Sequence, residues 1–310
     1  FHLPRTRPRH HQKVEPQTPP LRPPERDVKP MLTTIQISSW PDFLEAIQHT
    51  QNQYGTFKRG DFVQHPTILY RGQANAEWTL ATTLERISQS QWSLERYARL
   101  AYRCAPQIEA MTGRSWDMPK WETFEKALSN IYDNHWVRMP LYNFCVYLRH
   151  HGFPSPLLDW TTSPYIAAYF ALESNVEADA AIYVFIERPQ GGKLLDGASC
   201  AVHTQGPYIS THKRHFLQQC FYTIASKCDP EQKTVWIMPH ESILKLKRPD
   251  QDIFIKYVLP KKLRFEALEY LQAHNITHYS LFQSDEALMR TLAFQEIERH
   301  EKEAEKRPVL

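Results

Sequence analysis

The residue types most able to do chemistry crowd into residues 149–164, Arg-His-His-Gly-Phe-Pro-Ser-Pro-Leu-Leu-Asp-Trp-Thr-Thr-Ser-Pro, directly ahead of an apolar run. Pro164 suits the first turn of a helix, so the hydroxyls of Thr161, Thr162 and Ser163 stand at its N-terminus. Backbone N–H groups are unpaired there and the helix dipole favours an anion. Ordinary capping by Ser163 is the plainer alternative. Asp159 either caps as well or holds a neighbouring His or Arg. Trp160 reads most simply as core, with stacking on a base or a nicotinamide ring as the sharper alternative. Arg149, His150 and His151 close the preceding helix, where cations complement the dipole. Adjacent helical residues point about 100° apart, so one of His150 and His151 is expected to face a site rather than both. No third ligand stands at a metal-binding spacing, and no metal is expected.

Two further segments are candidates. In Leu69-Tyr70-Arg71-Gly72-Gln73 an arginine at a strand end is followed by glycine, giving a planar fork beside open backbone. That arrangement suits bidentate recognition of phosphate or carboxylate, the alternative being a structural ion pair at a turn. In Arg214-His215-Phe216-Leu217-Gln218-Gln219-Cys220-Phe221-Tyr222-Thr223, two amides lead into a β-rich run. Gln218 can orient a hydroxyl or an amide but cannot act as a general base; a polar pair at a strand edge is the alternative. Cys220 is set aside as a nucleophile because no Cys-His pairing is legible. The chain has no P-loop, no Gly-x-Gly-x-x-Gly, no His-Glu-x-x-His and no Gly-x-Ser-x-Gly, and its 9 glycines argue against a glycine-rich phosphate cradle.

The elements that must position these residues are legible in outline. Thr34–Ile37 reads as a short strand, and Ser39 and Pro41 open a helix carrying Phe43 and Ile47. Thr67–Tyr70 is a strand ending at Arg71-Gly72. Leu94 to about Ala110, Trp121 to about His135 and Leu141–His151 are helices, the last stopped by Gly152 and Pro154. Pro164–Leu172 is an apolar helix and Ala180–Ile186 a buried strand. Phe221–Ala225, Val235–Met238 and Ile253–Val258 are strands, Lys261–Ala273 is an amphipathic helix, and Glu286 to about Glu303 closes the chain as a charged helix. Without regular βα alternation, the pattern predicts one large α+β domain. Its helical N-terminal half would pack on a mixed or antiparallel β-rich C-terminal half.

The chain's 310 residues, 42% hydrophobic, suffice for a real core. Apolar runs all fall short of the roughly 20 residues that span a bilayer, so no membrane role is expected. Five cysteines without a Cys-x-x-Cys pair argue against a disulfide framework and for a reducing, cytoplasmic setting. Residues 1–30 hold 8 of the 23 prolines and an excess of four positive charges, more than the whole chain's net +3. They read as a disordered basic tail, through which nucleic acid could be touched. The composition changes at Met31, which is expected to be the natural start.

Together these motifs resemble the FRG domain, a family named for a Phe/Tyr-Arg-Gly tripeptide. Tyr70-Arg71-Gly72 matches the tripeptide. Arg149-His150-His151-Gly152, then Leu157-Leu158-Asp159-Trp160-Thr161 and Ser163-Pro164, matches its longest signature. Arg214, Gln218, Tyr222 and Thr223 follow an Arg…Gln-x-Gly-x-Phe-Thr pattern, with Cys220 in place of glycine and Tyr222 in place of phenylalanine. Residues Ser280 to Glu286 resemble a Ser-Leu-Phe-Pro-Asp-Leu-Asp-Gly run without its proline and glycine. The resemblance implies one FRG domain across residues 31–310.

A more distant resemblance is to Arg-Ser-Glu-type ADP-ribosyltransferases, with an arginine on an early strand, a hydroxyl motif, then Gln or Glu on a late strand. It implies NAD as substrate and a macromolecular acceptor, as in a toxin or defence enzyme. Arg71, with Tyr70 and Gly72, would hold the pyrophosphate or ribose. Thr162 or Ser163 would orient the nicotinamide ribose, and Gln218 would stand where the catalytic glutamate belongs. The catalytic set is then Gln218, Asp159 and Ser163; the cofactor-binding set is Tyr70, Arg71, Gly72, His150, His151, Trp160, Thr161 and Thr162. A glutamine cannot stabilise oxocarbenium charge as a carboxylate does, and Asp159 and Glu173 are the substitutes at hand. Three functions remain open: an NAD-using transferase, a non-catalytic module for a nucleotide or other anionic ligand, and a nucleic-acid-binding protein acting through its tail. A carboxylate beside Arg71 and Ser163 favours the first, a pocket lined only by Arg, Gln and hydroxyls the second, and strongly salt-dependent binding lost with residues 1–30 the third.

Overall fold

The computed structural model describes residues 32–133, 137–174, 176–189, 200–206, 209, 213–245 and 252–301; the basic tail and Met31 lie outside them. In chain order the elements are β1 (Leu32–Gln36), α1 (Trp40–Tyr54), a hairpin of β2 (Phe57–Arg59) and β3 (Phe62–Gln64), β4 (Ile68–Gln73), α2 (Thr83–Ile87), α3 (Leu94–Thr112), α4 (Trp121–Ser129), α5 (Tyr142–His150), β5 (Leu158–Thr161) and α6 (Pro164–Leu172). There follow β6 (Ala180–Glu187), β7 (Cys200–Gln205), α7 (Lys213–Leu217), β8 (Cys220–Asp229), β9 (Thr234–Ile237), α8 (His240–Leu244), β10 (Asp252–Leu259), α9 (Arg264–Ala273), α10 (His278–Phe282) and α11 (Asp285–Ala293). Among the described residues no helix is long and apolar enough to cross a membrane.

One eight-stranded sheet carries the fold, in the order β1-β10-β6-β4-β5-β8-β7 with β9 on β8. Among the described residues only β1 and β10 run parallel; every other pair is antiparallel. The molecule is α+β with a mixed sheet, and the sheet draws β1, β4 and β5 from the helix-rich first half of the chain. One face packs as a single cluster that includes Leu69, Leu158, Trp160, Phe185 and Phe254. The other face carries two clusters. Tyr70, Ile182, Val184 and Tyr257 pack under α1, α6 and α9. Tyr222, Ile224 and Val235 pack under α3, α4 and α5. The clusters part between β4 and β5, which share one ladder pair, Tyr70 opposite Thr161.

Local chemistry explains the elements that frame this parting. The α1 helix opens as expected, with the Ser39 hydroxyl accepting from the Asp42 N–H and Trp40, Phe43 and Ile47 buried. In α6, Ser163 caps and Pro164 occupies the first turn. Seven of its residues are buried, as befits a helix apolar all round. This helix lies against β4 so closely that a Cβ on Gly72 would fall 2.0 Å from the Ala167 carbonyl oxygen and 2.6 Å from the Ala171 nitrogen. Glycine at position 72 is therefore a packing requirement, and the alanines of α6 are its counterpart.

Several boundaries differ from the sequence reading. The strand expected over Thr67–Tyr70 does not end at Arg71-Gly72 but runs through Gln73. Residues 158–161, read as the polar approach to a helix, form β5. The helix from Trp121 stops at Ser129. Residues 261–273 divide into a 3-10 turn and α9, and the closing helix becomes π-helical over Phe294–Glu298. The β2–β3 hairpin, α2, β7, α7, α8 and α10 are elements the sequence reading did not anticipate.

Candidate functional site

A cavity of about 870 Å³ opens where the two clusters part, within the size range of small-molecule sites. Strand β4 contributes Tyr70, Arg71, Gly72 and Gln73, the loop after it Glu77, Trp78 and Thr79, and α2 adds Arg86. The far wall has His150 from the end of α5, Asp159 and Thr161 from β5, and Gln218 and Cys220 around the start of β8. Ala167 and Phe170 of α6, and Ser174 just beyond it, complete it.

Arg71 is half-buried and spans the parting: its Nη1 donates to the backbone oxygen of Asp159 at 2.8 Å. Its Nε is buried and has no hydrogen-bond partner. Burial pulls its pKa down to about 10, which leaves it charged at neutral pH. Asp159 is committed elsewhere. Arg149 Nε donates to its Oδ1 at 3.1 Å and Nη2 to its Oδ2 at 2.5 Å, a two-pronged pair. Burial alone would raise the Asp159 pKa; the Arg149 charge and hydrogen bonds outweigh it and hold the carboxyl below its ordinary value. The third Arg149 arm, Nη1, donates to the Thr83 hydroxyl at 3.0 Å and ties α5 to α2. Neither Arg71 nor Arg86 makes an ion pair among the described residues.

The remaining sequence candidates separate into those on the cavity wall and those off it. His150 faces the cavity, with its Nε2 2.7 Å from the Tyr222 hydroxyl, which also lies 3.3 Å from His215 Nδ1. His151 is exposed and packs on the Tyr147 ring instead. It is the residue just beyond α5, which sets it on another bearing from His150. Trp160 touches the cavity but its indole is 2% exposed, lies in the core, and donates to the Thr223 hydroxyl at 2.8 Å. Thr161 lines the wall, and its hydroxyl accepts from the Ser163 N–H.

Thr162 and Ser163 lie off the wall. The Thr162 hydroxyl donates to Gln219 Oε1, and Ser163 accepts from the Ile166 N–H as a plain cap. The hydroxyls of Thr162 and Ser163 are used within the chain, and it is later turns of α6 that face the cavity. Gln218 is on the wall, with its Nε2 donating to the Leu281 oxygen at 3.1 Å. The Cys220 thiol donates to Gln218 Oε1 at 3.7 Å, and burial pushes its pKa up to about 12, which removes it as a nucleophile. Glu173, the other carboxylate held in reserve, lies outside this cavity.

Sequence reasoning missed Gln73, Glu77, Trp78, Thr79 and Arg86. One signal for part of this wall was present. Thr82-Thr-Leu-Glu85 makes a capping box, in which the Thr82 hydroxyl accepts from the Glu85 N–H and Glu85 Oε2 from the Thr82 N–H. It marks the start of α2 and so places Arg86 on a helix. Trp78, 52% exposed, sits in a loop with no periodic signature. Among the described residues no group of three or more His, Cys, Asp or Glu is placed to hold a metal ion.

Residues 66–180 match the family model of the FRG domain. That span runs from just before β4 to the first residue of β6 and holds Arg71, Arg86, Arg149, His150 and Asp159, so the chain carries an FRG domain where most of the cavity is built. No curated protein and no solved structure matches the chain.

Proposed function

We propose that this protein binds a nucleotide or a similarly sized anionic ligand in the larger cavity, with Arg71 and Arg86 as its cationic contacts. One observation carries the reading. Two guanidiniums line one cavity without an ion pair of their own; of its two carboxylates, Asp159 is taken by Arg149 and the exposed Glu77 pairs with neither guanidinium. A guanidinium held half out of water without a counter-ion is a receptor for phosphate or carboxylate. The Asp159 backbone oxygen fixes one arm of Arg71, so little ordering remains to be done when an anion arrives. Trp78 and Phe170 supply ring faces on the same wall.

A second reading, ADP-ribosyl transfer from NAD to a macromolecule, is favoured by the carboxylate of Asp159 lining the same cavity as Arg71. Against it, that carboxylate is neutralised by Arg149, and Gln218 is occupied by Leu281. Calorimetry with inorganic pyrophosphate, ADP and NAD, on the native protein and Arg71→Ala, tests the first reading. Saturable binding that falls about tenfold or more in the variant is expected; equal affinity in both proteins ends the proposal. Nicotinamide release from labelled NAD that disappears in both Arg71→Ala and Asp159→Asn would move the assignment to the transferase.

A further inference from the structure

Helix α6 and the two residues after it divide their surface between two cavities. Ala167, Phe170 and Ser174, three to four residues apart, face the first; Tyr169, Glu173 and again Ser174 face a second of about 360 Å³. The second is bounded by α9, α10, α11 and the π-helical segment, a rare backbone form that recurs at functional sites.

Its polar groups are not arranged as a closed structural network. Two arms of the Arg264 guanidinium are used, Nη1 donating to Glu298 Oε2 at 2.7 Å and Nη2 to the Glu173 backbone oxygen at 3.1 Å, while its buried Nε has no hydrogen-bond partner. The Glu173 carboxyl is 24% exposed, and no described residue donates a hydrogen bond to it. Its nearest partners are His278 Nδ1 at 3.3 Å and Arg290 Nη1 at 3.9 Å. The His278 Nδ1 lies 3.1 Å from the Tyr169 hydroxyl. Burial raises the Glu173 pKa and lowers that of His278. Arg290 stands at the rim, 68% exposed, too far from Glu173 for a hydrogen bond. Leu268, Ile276 and Phe294 form an apolar wall.

We infer that the second cavity binds a small zwitterion of the α-amino-acid class. The ligand ammonium supplies the hydrogen bonds that the Glu173 carboxyl lacks, its carboxylate meets Arg290 at the rim, and its apolar side chain lies on Leu268, Ile276 and Phe294. A carboxyl without donors favours a cationic ligand group over an anionic one, and the exposed guanidinium beside it takes the opposite end. This site is independent of the reading given for the larger cavity.

The test is calorimetry on the full chain with leucine, methionine and phenylalanine, each also as its N-acetyl derivative and its amide. At least one free amino acid should bind saturably, with N-acetylation weakening it about tenfold or more, as loss of a charge-assisted hydrogen bond requires. Amidation should weaken it by less, because the carboxylate partner is exposed. Glu173→Gln should reproduce the N-acetyl loss and Arg290→Met the amide loss. The derivatives read the same contacts in unaltered protein, so a misfolded variant does not spoil the result. Absence of saturable binding by all three amino acids overturns the inference, as does an N-acetyl derivative that binds as tightly as its parent.

Discussion

In the larger cavity two guanidiniums, Arg71 and Arg86, face the interior while the nearby carboxylate is taken by Arg149. In the smaller cavity the allocation is reversed: the Glu173 carboxyl faces the interior while Arg264 is taken by Glu298. Each cavity thus holds one charged group tied by a close ion pair beside others that are not, with Glu77 at the exposed edge of the larger and Arg290 at the rim of the smaller. The difference shows that a charged residue on a cavity wall says little until its partner is known. Asp159 and Glu173 are both acidic, both half-buried and fourteen positions apart in the chain. One is held by a close two-pronged arginine pair and the other by the longer contacts of His278 and Arg290. Only the neighbouring arginine's reach distinguishes them, 2.5 Å against 3.9 Å.

The most disruptive way to break this comparison acts on the wall the cavities share. Gly72→Ala should push α6 off β4, because the new methyl would meet the Ala167 and Ala171 backbone rather than a yielding side chain. A loss of about 3 kcal/mol in urea unfolding is expected, with ligand binding lost at both cavities. Next is Arg149→Met, which removes the partner of Asp159 from outside the cavity. With Asp159 a third exposed, a cost of about 2 kcal/mol is expected rather than the full penalty of a buried pair. Anion affinity should fall with it, since the released carboxylate is then free to pair with Arg71. Unchanged pyrophosphate binding in Arg149→Met would refute the allocation of charge described above.

The pH dependence of stability should separate the two acids by sign. The Asp159 pKa is depressed in the folded state below its ordinary 3.8. Its stabilisation is therefore present above that value and is lost as pH falls through the lower folded value. The Glu173 pKa is raised above its ordinary 4.5, with burial the main cause. Folding is then favoured at or below 4.5, and that advantage is lost as pH rises through the folded value. Asp159→Asn should flatten the acid limb of a urea-midpoint profile, and Glu173→Gln should remove a decline on its upper side. Parallel changes in the two variants would contradict the opposed shifts. The smallest effect belongs to His151→Ala. An exposed residue off both walls should change stability by less than about 0.5 kcal/mol and leave pyrophosphate binding intact, whereas His150→Ala should alter it.

The elements around the cavity were legible where the pattern was long. The α6 helix announces itself by Ser163, Pro164 and an unbroken apolar run, and β6 by seven consecutive apolar residues, Ala180–Ile186. Strand β5 was not legible, although Leu158 and Trp160 alternate correctly with Asp159 and Thr161. Four residues are too few for a period of two to stand out from a polar helix approach. The site shows the same limit. Asp159 as the holder of a neighbouring Arg could be read locally, because Arg149 lies ten residues away. That Arg71 meets Asp159 across 88 residues depends on sheet order, which no local pattern states. Trp78 and Thr79 went unseen because their loop has no period, and the choice between His150 and His151 turned on where α5 ends.

One detail of the sheet carries a further consequence. Strands β4 and β5 share a single ladder pair, and the Asp159 carbonyl beyond it is satisfied by the Arg71 side chain instead of by main chain. Arg71 thus works as a zip-tie across a seam in the sheet as well as a lining group. An occupant that draws on this guanidinium pulls on the closure between the two strands. Occupancy should accordingly be readable as altered amide exchange along Leu158–Thr161.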